Sequence, residues 1–264
     1  MVAVARNFEK ETELVAAFSA AMERERAKDW TLYHETAGFD VLAVHRYGYQ
    51  VGIEAKLSVN IDVILQALPH SEYDETIGPD YRAILVPEQR AFTPNKLGRL
   101  CPRLGLQILT VYDLNAGWSE PRWALSGWGL PDEGRGYYST MQWWNWCPSQ
   151  RCSLPEYVPD VRGGDSAPVT LTPWKIKAIK LHIVLERQGY VTRSDMKALE
   201  ISPSRWTDRS HGFLAPNGEG KYVTGPRTPN FRAQHPINYA EIEADRSVWG
   251  KALAGGAECP GWLA

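Results

Sequence analysis

The sequence predicts an α/β protein, a mixed sheet flanked by helices, followed by a small and mainly α module. Three observations carry this. Residues 51–58 alternate apolar and polar side chains with period two. Strand-like and helix-like segments alternate as far as residue 113. The charge balance then changes near residue 170. A 264-residue chain that is 44% hydrophobic can bury one large core or two modest ones.

Residues 8–26 read as a helix, because Val15, Phe18 and Met22 follow the 3.6-residue period with Leu14 beside them. Residues 30–35 (WTLYHE) form a short strand closed by Ala37-Gly38. Two runs follow, FDVLAVHR and YQVGIEAKLS, separated by Tyr47-Gly48. In the second, Val51, Ile53, Ala55 and Leu57 alternate with Gly52, Glu54, Lys56 and Ser58, so the pair reads as a hairpin. Residues 59–68 are a short helix stopped near Pro69, and YRAILV from Tyr81 is an apolar strand. Residues 94–104 look helical at their start, and LQILTVY after Gly105 is a further apolar strand.

Beyond this point the pattern degrades. Six of the eleven tryptophans (Trp118, Trp123, Trp128, Trp143, Trp144, Trp146) lie in the next thirty or so residues, among interleaved Gly and Pro. Such aromatics fit stacking on bases or, more simply, buried packing surface between domains. Residues 148–169 are rich in Pro, Gly and Ser and read as a linker. The expected divisions are 1–114, a connecting region 115–169, and 170–264.

The last division opens with Thr172 as N-cap and Pro173 at the first helical position, and its helix runs to Gln188 before Gly189. Val191-Thr192 leads to a second helix capped by Ser194, with Met196, Leu199 and Ile201 turned inward. Ser202-Pro203 starts a third, carrying Arg205, Trp206 and Arg209. Phe213-Leu214, the turn Asn217-Gly218 and Tyr222-Val223 then make a hairpin. Between residues 170 and 235 there are eleven basic residues and five acidic ones, a local excess of six; the whole chain carries −2, which leaves −8 elsewhere. That polarity suits a module that meets an anionic partner.

Several classes are set aside. No apolar run approaches the roughly 18 residues of a membrane span. The N-terminus turns acidic and amphipathic at once, unlike a signal peptide, and the four scattered cysteines do not resemble a disulfide framework, so a cytoplasmic location is expected. There is no glycine-rich nucleotide loop and no nucleophile elbow. Cys147 and Cys152, with His182 or His211, are an alternative zinc set at unusual spacing.

Phosphodiester hydrolysis needs a cation with oxygen ligands that activates water and absorbs charge developing on phosphorus. Glu54 and Lys56 share one face of their strand, and the hairpin brings Asp40 alongside. The backbone carbonyl of Ala55 lies between them as a further ligand. An E-x-K tripeptide alone is a weak signal, since alternating charges are usual on an exposed strand face. What gives it weight is the order of a helix Glu, a strand Asp, a hairpin and a following helix. Glu11 falls on the stripe of Val15, Phe18 and Met22, with Glu13 a competitor, and Glu35 could reach the site from the first strand.

The stretch GFDVLAVHRYGYQVGIEAKLSVNIDVILQALPHSEY resembles the PD-(D/E)XK nuclease superfamily, and the likeness covers roughly residues 8–113. Phe39 stands where the Pro of the signature would be. The resemblance implies a restriction-endonuclease-like core and an Mg²⁺- or Mn²⁺-dependent deoxyribonuclease. Asp40, Glu54, Glu11 and the Ala55 carbonyl would hold the metal, Lys56 would stabilise the attacking hydroxide or the transition state, and Gln66 would position water or substrate. Residues 170–264 resemble a winged helix, which implies DNA contacts by Arg193, Lys197, Arg205 and Arg209, with Lys221 on the wing. A homodimer is expected where both strands are cut, and a protein partner where the basic module docks rather than binds DNA. The alternative is a non-catalytic DNA-binding or regulatory protein that keeps the nuclease fold as scaffold. Restriction, repair, phage recombination and mobile-element work are all compatible with the sequence.

Overall fold

The computed structural model describes residues 8–69, 77–88, 96–115, 120–126, 130–131, 143–161, 163–164, 169–208 and 212–253. Arg209, His211, Trp118 and Trp128, all singled out above, lie outside the described residues. The chain divides into two units, one of Met1–Leu154 with Val161–Thr170, the other of Pro155–Asp160 with Leu171–Ala264. The stretch 115–169, expected as a connector, is therefore shared between them.

In the first unit, helix α1 spans Glu11–Arg26 and is followed by β1 (Trp30–Thr36), β2 (Phe39–His45) and β3 (Gln50–Ala55). Then come α2 (Ile61–Ala67), β4 (Tyr81–Pro87), α3 (Lys96–Leu100) with a 3₁₀ turn at Cys101–Leu104, β5 (Leu106–Asp113) and β6 (Trp123–Ser126). The six strands lie side by side in chain order. β1, β2 and β3 pair antiparallel, as do β5 and β6, whereas β3–β4 and β4–β5 are parallel. Parallel neighbours need crossovers, which α2 and the α3 segment supply. The mixed sheet flanked by helices is thus as the sequence predicts.

Both faces of this sheet are covered. Leu14, Val15, Phe18 and Met22 of α1 pack on Val41, Val51, Ile53 and Leu85. On the opposite face Val63, Ile64 and Ala67 of α2 pack on Ile84, Val86 and Leu106, and Phe39, Leu42 and Val44 form a cluster with Cys152. All six residues of β3 are consequently buried, the polar half of its alternation included. A central strand with a parallel neighbour requires this double cover. Helix α2 starts later than the sequence suggested because the Asn60 side chain accepts the Val63 N–H at 2.9 Å and fixes the N-cap there.

The Trp-rich stretch is largely part of this unit. Trp123 opens β6, and Trp143 is buried with its ring edge-on to Tyr81 at 5.8 Å. Asp80 binds the segment that follows: its carboxylate accepts the Gln50 N–H at 2.8 Å and a forked pair from Arg151 at 2.8 and 3.0 Å. Gln50 and Cys152 exchange hydrogen bonds, side-chain amide to backbone, both at 2.9 Å. Residues up to Leu154 are thereby fastened to the sheet.

The second unit opens with α4 (Pro173–Gln188), where Thr172 accepts the Lys175 N–H at 3.2 Å and Gly189 closes the helix at φ 79°. It continues through β7 (Val191–Thr192), α5 (Arg193–Ala198), α6 (Pro203–Trp206), β8 (Leu214–Pro216) and β9 (Lys221–Thr224). Three further helices follow, α7 (Phe231–Gln234), α8 (Pro236–Ala244) and α9 (Arg246–Trp249). The expected hairpin is present, and β7 adds to it in the antiparallel order β7-β9-β8. The cap of α5 is Thr192, not Ser194: its hydroxyl accepts the Asp195 N–H while the Asp195 carboxylate accepts the Thr192 N–H. The expected third helix, α6, is a single turn, and its Trp206 is core. Asp160 accepts the N–H groups of Ile237 and Asn238 at 2.9 and 3.1 Å and meets His235 Nδ1 at 2.8 Å, which places a carboxylate at the start of α8. No helix among the described residues is long and apolar enough to cross a membrane.

Gly52 shows how closely the first unit is packed beside Asp40. A Cβ added there would lie 2.6 Å from atoms of the Phe39 ring. Gly52→Ala is expected to lower unfolding stability by about 1–3 kcal/mol in urea titrations; a wild-type midpoint would contradict this packing.

Candidate active site

The site grows out of strand register. Val41 faces Ile53 across β2 and β3, so continuing the ladder one residue brings Asp40 level with Glu54. His34 faces Val41 and Thr36 faces Phe39 across β1 and β2, which sets Glu35 level with Asp40. Three carboxylate residues thus occupy one row over three adjacent strands. Directly opposed like charges destabilise a sheet unless something intervenes.

Each acid meets that strain differently. Asp40 Oδ2 accepts the Ala55 N–H at 2.7 Å. Burial pushes its carboxyl above the usual range, the Ala55 bond opposes this, and Glu11 and Lys56 add smaller opposing effects. Glu54 is pushed up to about 8, first by burial and then by the charges of Asp40 and Glu35, against Lys56 and Arg82. Glu35 leaves the extended conformation at φ 48°, and its carboxylate accepts the Gly164 N–H at 2.7 Å.

Lys56 lies one residue past the end of β3, not within it, yet its N–H still donates to Leu85 O at 2.9 Å and prolongs the ladder with β4. Its ammonium stands 3.0 Å from Glu11 Oε1. The competition between Glu11 and Glu13 is thereby resolved. Glu13 turns back on its own helix start, accepting the N–H groups of Glu9 at 2.9 Å and Lys10 at 3.4 Å. Glu11 alone of the two meets Lys56.

Four of the sequence-nominated side chains, Glu11, Asp40, Glu54 and Lys56, therefore come together around the Ala55 backbone. Gln66 does not join them. It is exposed on α2 and lines a cleft with Phe39, Arg82 and Cys152, and its side chain makes no hydrogen bond among the described residues. Arg82 was missed. It is buried in β4, donates to Ala67 O at 2.9 Å, lies over the Phe39 and Trp146 rings, and acts on the charge of Glu54. Its signal was a charge inside the apolar run YRAILV.

Among the described residues no three Asp, Glu, His or Cys side chains cluster closely enough to cage a cation by themselves. The donor set still suits Mg²⁺ or Mn²⁺, because Mg²⁺ is commonly held by one or two carboxylates plus water and substrate phosphate. A buried Glu54 whose proton affinity is raised by burial and by the neighbouring Asp40 charge marks a place where added positive charge is stabilising. For the zinc alternative, His211 lies outside the described residues, and among the described ones no such cluster forms around Cys147 and Cys152. Cys147 is exposed, Cys152 is buried, and the His182 ring meets the Tyr239 hydroxyl at 2.9 Å.

In the second unit much of the basic excess is neutralised locally. Lys177, Lys180, Arg187 and Arg232 pair with Glu200, Glu156, Glu243 and Glu186. Arg193 donates to the Tyr222 hydroxyl at 3.0 Å, and Lys221 lies 3.3 Å from Glu219 and over the Tyr190 ring. Lys197 and Arg205 are exposed. No family model, curated protein or solved structure matches the chain.

The raised Glu54 carboxyl has a signed consequence for stability. Below its ordinary value of 4.5 it is protonated folded and unfolded; between there and about 8 only the unfolded chain ionises. Stability should therefore fall with rising pH across that window, by at most about 1.4 kcal/mol per unit, and level above it. Urea unfolding should register that decline in wild type and a flatter profile in Glu54→Gln. Parallel profiles for the two proteins would show that Glu54 titrates normally.

Proposed function

We propose that the first unit hydrolyses phosphodiester bonds of DNA with Mg²⁺ or Mn²⁺, as a nuclease with a restriction-endonuclease-like core. The observation that carries this is the pairing of Asp40 with Glu54 on adjacent strands, beside Lys56. Asp40, Glu54 and the Ala55 carbonyl would hold the cation, which supplies a Lewis acid and a more acidic bound water. Asp40 is oriented for this by the Ala55 N–H. Lys56 brings a positive charge to the point where negative charge develops on the phosphoryl oxygens, and Glu11 holds that ammonium in place. Gln66, on the rim of the neighbouring cleft, is assigned to substrate rather than metal.

The second unit would supply duplex affinity. Three helices and the strand order β7-β9-β8 support a winged-helix reading. Lys197 and Arg205 would contact phosphates, which gives affinity without sequence choice. One observation favours the scaffold alternative, a DNA-binding protein without catalysis: the described residues contain no ready three-donor cage.

The two readings separate on a gel. Purified protein with Mg²⁺ or Mn²⁺ is expected to cut at least one of linear, supercoiled and branched DNA. Lys56→Ala is expected to slow cutting on the order of 10²-fold while DNA binding is retained. Binding of all three forms without cleavage by wild type selects the scaffold.

A further inference from the structure

We propose that Gly163 and Gly164, within a stretch that reads as linker, are positioning residues of the candidate site: their backbone holds the Glu11, Glu35 and Asp40 segments at fixed spacing. This rests on the reading of that site as a cation site. Gly163 lies where three elements converge. A Cβ built on it would stand 2.7 Å from His34 Nδ1 on β1, 2.8 Å from the backbone oxygen of Asp40 on β2, and 2.9 Å from Val15 on α1. Only hydrogen fits there.

Gly164 then turns through φ 76°, a left-handed conformation that favours glycine. Its own missing Cβ faces the first turn of α1, with Glu11 C at 3.1 Å and Glu11 O and Thr12 N at 3.2 Å. Its N–H reaches the other way and donates to Glu35 Oε1 at 2.7 Å. One residue thus touches the backbone that carries the partner of Lys56 and the side chain whose charge acts on Glu54. Through that bond Gly164 fixes the direction of the Glu35 carboxylate beside the Asp40–Glu54 pair. Partners one step removed from the ligands fix ligand geometry in this manner.

The test compares Gly164→Ala, Glu35→Ala and Glu35→Gln, with Mn²⁺ as probe, by calorimetry and by ¹H–¹⁵N spectra of the full chain. Gln keeps an oxygen for the Gly164 N–H but removes the charge, whereas Ala removes both. Gly164→Ala and Glu35→Ala are expected to weaken Mn²⁺ binding about tenfold or more, with Glu35→Gln close to wild type. In the spectra, the first two should shift the amide signals of Glu11, Thr12 and Asp40, and the third should leave them in place. Unchanged signals in Gly164→Ala overturn the proposal whatever the metal does. If wild type binds no Mn²⁺, the cation site itself is wrong, and the amide shifts alone decide whether the two glycines hold these segments. Wild-type Mn²⁺ affinity in both alanine variants also overturns it.

Discussion

Burial of Glu54 at the end of β3, beside the half-buried Asp40 at the start of β2, is the constraint that organises the first unit. A carboxylate removed from water must be paired, hydrogen-bonded or neutralised. Asp40 is hydrogen-bonded through the Ala55 N–H, and Glu54 is neutralised by a proton it keeps up to about pH 8. Glu54 is buried because β3 and β4 run parallel: the crossover carries α2 to one face while α1 covers the other. On a sheet with one wet face, Glu54 and Lys56 would be ordinary solvated charges. The topology turns a common tripeptide into a charged cluster that a divalent cation would stabilise.

Charges in the second unit obey the same rule with a different outcome. Lys180, whose side chain is 11% exposed, meets Glu156, and Asp160 meets both His235 and the start of α8. The segment Pro155–Asp160 belongs to that unit because its acids complete these contacts. A positive excess counted along the chain is therefore larger than the positive surface it leaves. Lys197 and Arg205, like Arg193, are exposed.

The helices and strands of the first unit were legible because each carries its own periodicity or turn chemistry, as Phe18 and Met22 do for α1 and Tyr47-Gly48 does for the hairpin. The pairing of Asp40 with Glu54 was legible too, since register follows once a hairpin is recognised. Less could be read where long-range partners decide. The Glu11–Glu13 ambiguity depended on which carboxylate the helix start would take up, and Arg82 on a strand whose neighbours were unknown. The anchoring of Arg151 to Asp80 joins residues 71 positions apart, where no local pattern reaches. Gly163-Gly164 looked like linker because a missing side chain gives no sign of what surrounds it.

With its carboxyl pushed up to about 8, Glu54 carries a proton at neutral pH, and in the proposed cation site a bound metal would displace it. Calorimetric titration of Mn²⁺ into the protein at pH 7, repeated in buffers of different ionisation enthalpy, counts protons released on binding. About one proton per cation is expected at pH 7, falling toward zero well above pH 8, with no such release in Glu54→Gln. Binding with no proton released at pH 7, or no Mn²⁺ binding at all, would contradict it.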